Sequence, residues 1–230
     1  MTATATVWLA ETLGHRFNNA ALLEQALTHR SSAGPNNERL EFLGDAVLDF
    51  VVSDVIYHAF TDANEGDLSK LRASLVKKSS LASLATEVGV GEYLILGGGE
   101  KKSGGHRRNS ILADTLEAIF GAVYLDAGYA AAAAVIHRAY GSRLVDFPPI
   151  EELRDPKTRL QEWLQARGKG LPEYELLIVS GKSHNQRFEI RCSIADGAQD
   201  SMGSGTSRRK AEQDAARNML LNLGEDLLSE

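Results

Sequence analysis

The sequence predicts an all-α N-terminal domain followed by a small α+β domain of order α-β-β-β-α. Three observations carry that prediction. Apolar residues recur at helical spacing through residues 1–145. The pair Pro148-Pro149 then interrupts the pattern and stiffens the chain. Beyond it, a strand-like alternation of period two appears between two short amphipathic stretches. The expected boundaries are 1–145 for the helical domain, 146–154 for a linker, 155–224 for the α+β domain and 225–230 for a tail.

In the first domain, Leu22, Leu23, Ala26 and Leu27 form one apolar stripe. Leu40, Leu43, Val47, Leu48 and Val51 form a second, and Leu112, Leu116, Ile119, Phe120 and Val123 a third. All three read as core. Turn-rich breaks fall at residues 33–37, 62–66 and 97–105. The last, GGGEKKSGG, lacks the Gly-x-x-x-x-Gly-Lys-[Ser/Thr] spacing of a phosphate-cradling loop. With Lys101, Lys102, Arg107 and Arg108 in or beside it, this segment reads either as a mobile loop near a polyanion backbone or as a solvated loop.

In the second domain, Lys157–Arg167 is predicted as a helix, with strands at Glu173–Val179 and Gln186–Ile194. The second strand sets Phe188, Ile190, Cys192 and Ile194 against Glu189, Arg191 and Ser193. A third short strand is expected near Asp200–Gly203. A last helix, Ser207–Leu223, repeats Ala211, Ala215, Met219 and Leu223 at four-residue intervals. Such an order places two helices on one face of an antiparallel sheet.

Composition narrows the function. The 230 residues are 43% hydrophobic, enough for real cores. No run reaches the ~18 apolar residues of a membrane span, and the N-terminus lacks the charge-then-apolar pattern of a secretory signal. No membrane partner is expected. The single cysteine, Cys192, cannot form an internal disulfide, so the expected compartment is the reducing cytoplasm. The net charge of −6 argues by itself against a polyanionic partner. Its distribution argues otherwise. Residues 154–224 carry 12 Lys+Arg against 9 Asp+Glu, a net of +3, while residues 1–148 carry 13 against 17, a net of −4. An acidic half that meets a polyanion needs bound cations.

The acids supply a place for them. Glu38, Glu41 and Asp45 stand at i, i+3 and i+7, on one face of a helix. Asp114 and Glu117 form a second pair at i, i+3 in a still more apolar setting. No Lys or Arg lies between Asn109 and Arg138, so this pair has no cationic neighbour along the chain. Clustered acids among apolar residues cost free energy through desolvation and mutual repulsion, and a divalent cation offsets that cost. All-carboxylate donors suit Mg²⁺, with Mn²⁺ as a substitute. Solvated surface acids are the plain alternative. Six scattered histidines and one cysteine give no zinc spacing.

Arg208, Arg209 and Lys210 open the last helix, where the dipole is already positive. The placement favours a bound anion such as phosphate, and Ser207 is the expected N-cap. A solvated charge run is again the alternative.

Longer strings now carry a resemblance. NERLEFLGDAVL at Asn37–Leu48 resembles the signature of the ribonuclease III family, as do LGHRFNNAALLEQALTHRS, EGDLSKLRASLV and SGGHRRNSILADTLEAIFGAVYLD. Residues Thr158 to Leu223 resemble the double-stranded-RNA-binding domain that follows it. The resemblance implies an endoribonuclease that cleaves double-stranded RNA to 5′-phosphate and 3′-hydroxyl ends, in the processing of ribosomal and other RNA. Glu41, Asp45, Asp114 and Glu117 match the family's metal-site acids, Asp45 and Glu117 those usually named catalytic, and Glu38 and Glu65 acids that assist. Thr158, Gln161, Glu162 and Gln165 match residues facing the minor groove. Lys182 and His184 match a loop entering the next one, and Arg208, Arg209 and Lys210 cations spanning the major groove. The loop carries Lys-Ser where the family often has proline. Residues 1–145 show no internal repeat, so each chain holds one acid constellation, and cutting both strands calls for a homodimer with two-fold symmetry. Phe42 matches a dimer contact; ordinary intrachain core is its alternative. A catalytically dead RNA-binding module, or a hydrolase of other phosphoesters, remain competing readings.

Overall fold

The computed structural model describes residues 2–147, 155–181, 186–194 and 199–224. Most of the expected linker, the expected tail and the loop bearing Lys182 and His184 lie outside the described residues. The chain divides into two compact units, Met1–Pro148 and Pro149–Glu230.

The first unit is helical: α1 (Thr2–Thr12), α2 (Ala20–Leu27), α3 (Glu38–Ala59), α4 (Glu65–Val76), α5 (Lys78–Glu87), α6 (Gly98–Lys102) and α7 (Asn109–Tyr140). Short polar side chains set several starts. Asn19 caps α2 by accepting from the Ala21 N–H, and Asn64 caps α4 by accepting from the Asp67 N–H at 3.0 Å. The start of α3 is fixed from outside the helix. Asn37 donates its backbone N–H to the Thr28 carbonyl at 2.9 Å and its side-chain amide to the buried Thr115 hydroxyl at 3.3 Å. Glu38 and Glu41 then fall in the first turn, where the dipole favours them.

The expected break at 97–105 is more ordered than its composition indicates. Gly98–Lys102 makes a short helix and Gly105–Arg107 a 3-10 turn. The Glu100 carboxylate closes the segment through an ion pair to Arg108 at 2.8 Å, and the Gly97 N–H donates to the Ser31 hydroxyl. Local glycine content misses this, because the contacts that order the segment come from Arg108 and Ser31.

At the centre α7 packs along α3. By length and apolarity alone α7 could cross a membrane. Its apolar residues from Ile111 to Val123 are instead buried inside the bundle, and its helical geometry breaks at Gly128, φ 79°. The two helices meet backbone to backbone. A Cβ placed on Gly44 of α3 would fall on the Glu117 carbonyl, and one on Gly121 of α7 would collide with the Leu40 carbonyl. Each glycine costs its helix about 1 kcal/mol relative to alanine, and the close approach is what requires it.

The second unit comprises α8 (Pro156–Ala166), β1 (Glu173–Ser180), β2 (Arg187–Ser193), β3 (Asp200–Gly205) and α9 (Arg208–Asn222). The strands form an antiparallel sheet in the order β1-β2-β3, with Tyr174 opposite Cys192 and Ile190 opposite Gly203. One face carries the core: Leu160, Leu164, Ile190, Cys192, Met219 and Leu220 are fully buried. β3 lies flush on α9, because a Cβ at Gly203 would strike the α9 backbone at Ala211 and Ala215. Ser201 donates to the Ala215 carbonyl at 2.7 Å, and Asp214 accepts from the Ser204 N–H at 2.9 Å.

The crossing of α3 and α7 yields a stability prediction. Gly44→Ala is expected to destabilise the first unit by about 1–3 kcal/mol despite its better helix propensity, lowering the Tm of that unit by roughly 4–10 °C in a calorimetric scan. An unchanged or higher Tm would show that the helices approach less closely than described.

Candidate metal centre and nucleic-acid interface

The crossing brings α3 acids against α7 acids. Glu41, Asp114 and Glu117 converge so that one oxygen from each lies within 4.8 Å of the others. Glu117 is buried, Glu41 and Asp114 are half-buried, and Asp45 is exposed at the margin of the group. Two acids separated by some seventy residues of chain therefore meet because Gly44 and Gly121 let their helices touch.

The electrostatics match the geometry. Burial, followed by the charges of Asp45, Asp114 and Glu41, pushes the Glu117 carboxyl up from 4.5 to about 8. Burial and the neighbouring Asp114 raise Glu41 as well. Burial and repulsion thus favour the protonated form of Glu117, so metal binding there is coupled to proton release. The donors are carboxylate oxygens only, one of them deeply buried, in a group that repels itself. That set fits a hard divalent cation.

One cation near the cluster comes from the chain itself. Lys78, at the start of α5, donates from Nζ to Asp114 Oδ1 at 2.8 Å. This hydrogen bond holds the Lys78 ammonium above its ordinary pKa. The expectation that the Asp114–Glu117 pair lacks a nearby cation holds along the sequence but fails in space. The partner lies 36 residues upstream, at a distance that periodicity does not reveal.

Beside the acids lies a cavity of about 660 Å³ whose wall combines Glu38, Glu41 and Asp114 with Arg30 and Arg108. Glu38 is exposed at its rim, 3.5 Å from Arg30. Glu65 is placed elsewhere: within one chain it lines a separate cavity with Phe50, Tyr57 and Arg72 and accepts from the Ser69 hydroxyl at 2.9 Å. Phe42 is not intrachain core, since it is 81% exposed. Phe50 and Tyr57 on the same helix are exposed too, and Phe50 meets Tyr129 edge-on at 5.5 Å between ring centres.

In the second unit, Thr158, Gln161, Glu162 and Gln165 all lie exposed on α8 at i, i+3, i+4 and i+7, one helix face. Ser207 caps α9 by accepting from the Lys210 N–H. Arg208, Arg209 and Lys210 are exposed in its first turn, but two of them have carboxylate neighbours: Arg208 Nε lies 3.0 Å from Glu212 and Arg209 3.8 Å from Asp155. Asp155 also caps α8 at the Lys157 N–H and accepts from Gln213 at 2.6 Å. One carboxylate thus ties together the starts of both helices.

Comparison with known proteins agrees with this arrangement. A Ribonuclease-III-like family profile matches residues 19–144, and a double-stranded RNA binding motif matches residues 156–223. Proteins named Ribonuclease 3 from Alkalilimnicola ehrlichii and Dechloromonas aromatica are each 55% identical over 215 residues, covering 94% of this chain and 94% and 97% of theirs. The nuclease domain of the Campylobacter jejuni ribonuclease III is similar in structure, with a TM-score of 0.58, 43% identity and coverage of 62% of this chain and 97% of that domain. A second structure of that domain, at 46% identity and a TM-score of 0.56, is described as flexible in a region involved in dimer formation; it covers 57% of this chain and 93% of its own. With its helical domain and its double-stranded-RNA-binding domain in the same order, the chain belongs to the ribonuclease III family.

Proposed function

We propose that this double-stranded-RNA endoribonuclease hydrolyses phosphodiester bonds with Mg²⁺ held by Glu41, Asp114 and Glu117, leaves 5′-phosphate and 3′-hydroxyl ends, and works as a homodimer. The observation that carries the reading is the convergence of those three carboxylates in a chain whose other unit is a double-stranded-RNA-binding domain. When bound, the ion supplies Lewis acidity toward the phosphate and the attacking water, and Mn²⁺ can replace it. Glu117 would hold the ion from the buried side of the cluster, with Glu41 and Asp114 beside it. Asp45, on the exposed side, would take up the proton that the attacking water releases, and the leaving 3′-oxygen would take a proton from solvent to end as the 3′-hydroxyl. Glu38 orders the rim of the cavity with Arg30. Glu65, remote from the cluster within one chain, is assigned no step.

The second unit holds the substrate. Thr158, Gln161, Glu162 and Gln165 meet 2′-hydroxyls in one minor groove; a role for Lys182 and His184 at the next rests on the family resemblance alone. Arg208, Arg209 and Lys210 take phosphates across the major groove between them. Phosphates and 2′-hydroxyls carry shape and backbone chemistry, so any A-form duplex qualifies. Ribosomal and messenger RNA precursors are the substrates that this family typically processes. The dimer uses the outer face of α3, where Phe42, Phe50 and Tyr57 are exposed in the single chain. The cytoplasm is the compartment, in keeping with the buried free thiol of Cys192.

Glu117→Gln keeps side-chain size but removes a ligand charge. Gel-shift and cleavage assays should find duplex binding within a few-fold of wild type and no detectable cleavage in Mg²⁺; ordinary cleavage would take Glu117 out of the metal site. For Arg208→Ala with Arg209→Ala, duplex affinity should fall alike for different sequences. The slope of log K against log salt should flatten by up to about one unit for each phosphate that is no longer neutralised, and an unchanged slope would contradict phosphate binding by these arginines. Sedimentation equilibrium without RNA should give twice the 24.9 kDa chain mass, with Phe42→Ala shifting mass toward the monomer; a fully active 24.9 kDa species would refute the dimer.

A further inference from the structure

We infer that Lys78 is a tethered counter-ion of the acid cluster: its ammonium occupies Asp114 in the metal-free protein, the incoming divalent cation displaces it, and the exchange sets the metal concentration at which the site fills. The inference rests on the metal-site reading above.

Helix stability does not explain the residue. Lys78 is the first residue of α5, where the dipole disfavours a cation, and Lys77 before it makes no side-chain cap. The Lys78 side chain extends instead to α7, where Nζ sits 2.8 Å from Asp114 Oδ1. Asp114 belongs to the converging trio, so the ammonium takes up acceptor capacity of Asp114 Oδ1 and places its positive charge beside the position a metal ion would occupy. The same positive charge also acts on Glu41 and Glu117, so it opposes a second cation arriving among the three.

The pair is built to be broken. The Lys78 side chain is 66% exposed and that of Asp114 27%. A pair whose cation is open to water is weak and screened by salt. Leaving Asp114 costs Lys78 little, because water receives the ammonium at once. Competition by such a group raises the metal requirement a few-fold without closing the site. In exchange, the metal-free protein keeps one of its three crowded carboxylates neutralised.

The test is a titration of the full-length protein with Mn²⁺ alone, without RNA, reading free Mn²⁺ by electron paramagnetic resonance. Lys78→Met should bind Mn²⁺ about two- to five-fold more tightly than wild type, and Lys78→Gln should behave likewise. Lys78→Arg, which keeps the charge, should stay near the wild-type value. In EDTA the neutral variants should melt below wild type and gain more in Tm on adding Mn²⁺. Equal or weaker Mn²⁺ binding by both neutral variants, with Glu117→Gln clearly weakened, would overturn the role of Lys78 and leave the metal site standing. Unchanged Mn²⁺ binding by Glu117→Gln would overturn the metal site itself, and this inference with it.

Discussion

The contact between α3 and α7 at Gly44 and Gly121 is the constraint on which the candidate active site depends. Helices in globular proteins ordinarily keep their axes 8–10 Å apart because side chains stand between them. Here a Cβ on either glycine would enter the opposing backbone. Glu41 and Asp45 flank Gly44, while Asp114 and Glu117 precede Gly121 by two turns and one. Any widening at the crossing would therefore separate the carboxylates directly. Long helices locked by backbone contact hold ligands more firmly than loops can. The anchoring of Asn37 to Thr28 and Thr115 fixes where α3 begins, and with it which residues face α7.

Gathering acids at that crossing raises an electrostatic difficulty that the chain meets in three ways. Glu117, the most buried, has its carboxyl pushed well above the ordinary carboxylate range by burial and by its acidic neighbours. Asp114 has an ammonium against it. Asp45 stays in contact with water. The acids are consequently arranged by depth, and the buried one titrates well away from its ordinary range. The second unit shows the opposite arrangement: its cations are exposed, and the nearby carboxylates of Glu212 and Asp155 orient two of them without burying them.

The parts legible in the sequence are those written at short range. Helical stripes, the alternation in β2 and the spacing of the acids are all local, so the element order, most core positions and the acid pairs could be read from the chain; Leu22 and Leu43, expected in the core, are half-buried. The third strand, expected at Asp200–Gly203, extends two residues further because Ser204 and Gly205 pair with Glu189 and Phe188. What stayed illegible arises from contacts between distant residues. Lys78 carries no local mark of a role, since its partner lies on another helix. The glycine-rich stretch at 97–105 reads as open loop until the Glu100–Arg108 ion pair is seen. Phe42, apolar and flanked by Leu40 and Leu43, reads equally well as core or as surface, and only its position on the outer face of α3 separates the two.

The junction at Asp155 bears on discrimination between kinds of duplex. Its carboxylate caps α8 and also binds Gln213 of α9, and the Lys157–Glu212 ion pair at 2.7 Å reinforces the same corner. The two helix starts are therefore held at a set spacing before any RNA arrives. If α8 meets a minor groove and α9 the phosphates beyond it, as proposed, such a rigid pair would work as a caliper for the distance between them. That distance differs between A-form and B-form helices. The conformational entropy of aligning the two heads is already spent in folding, so a duplex of the wrong pitch gains little by bending them to fit. Selectivity for RNA over DNA can in this way be stored in a corner of the fold that touches neither.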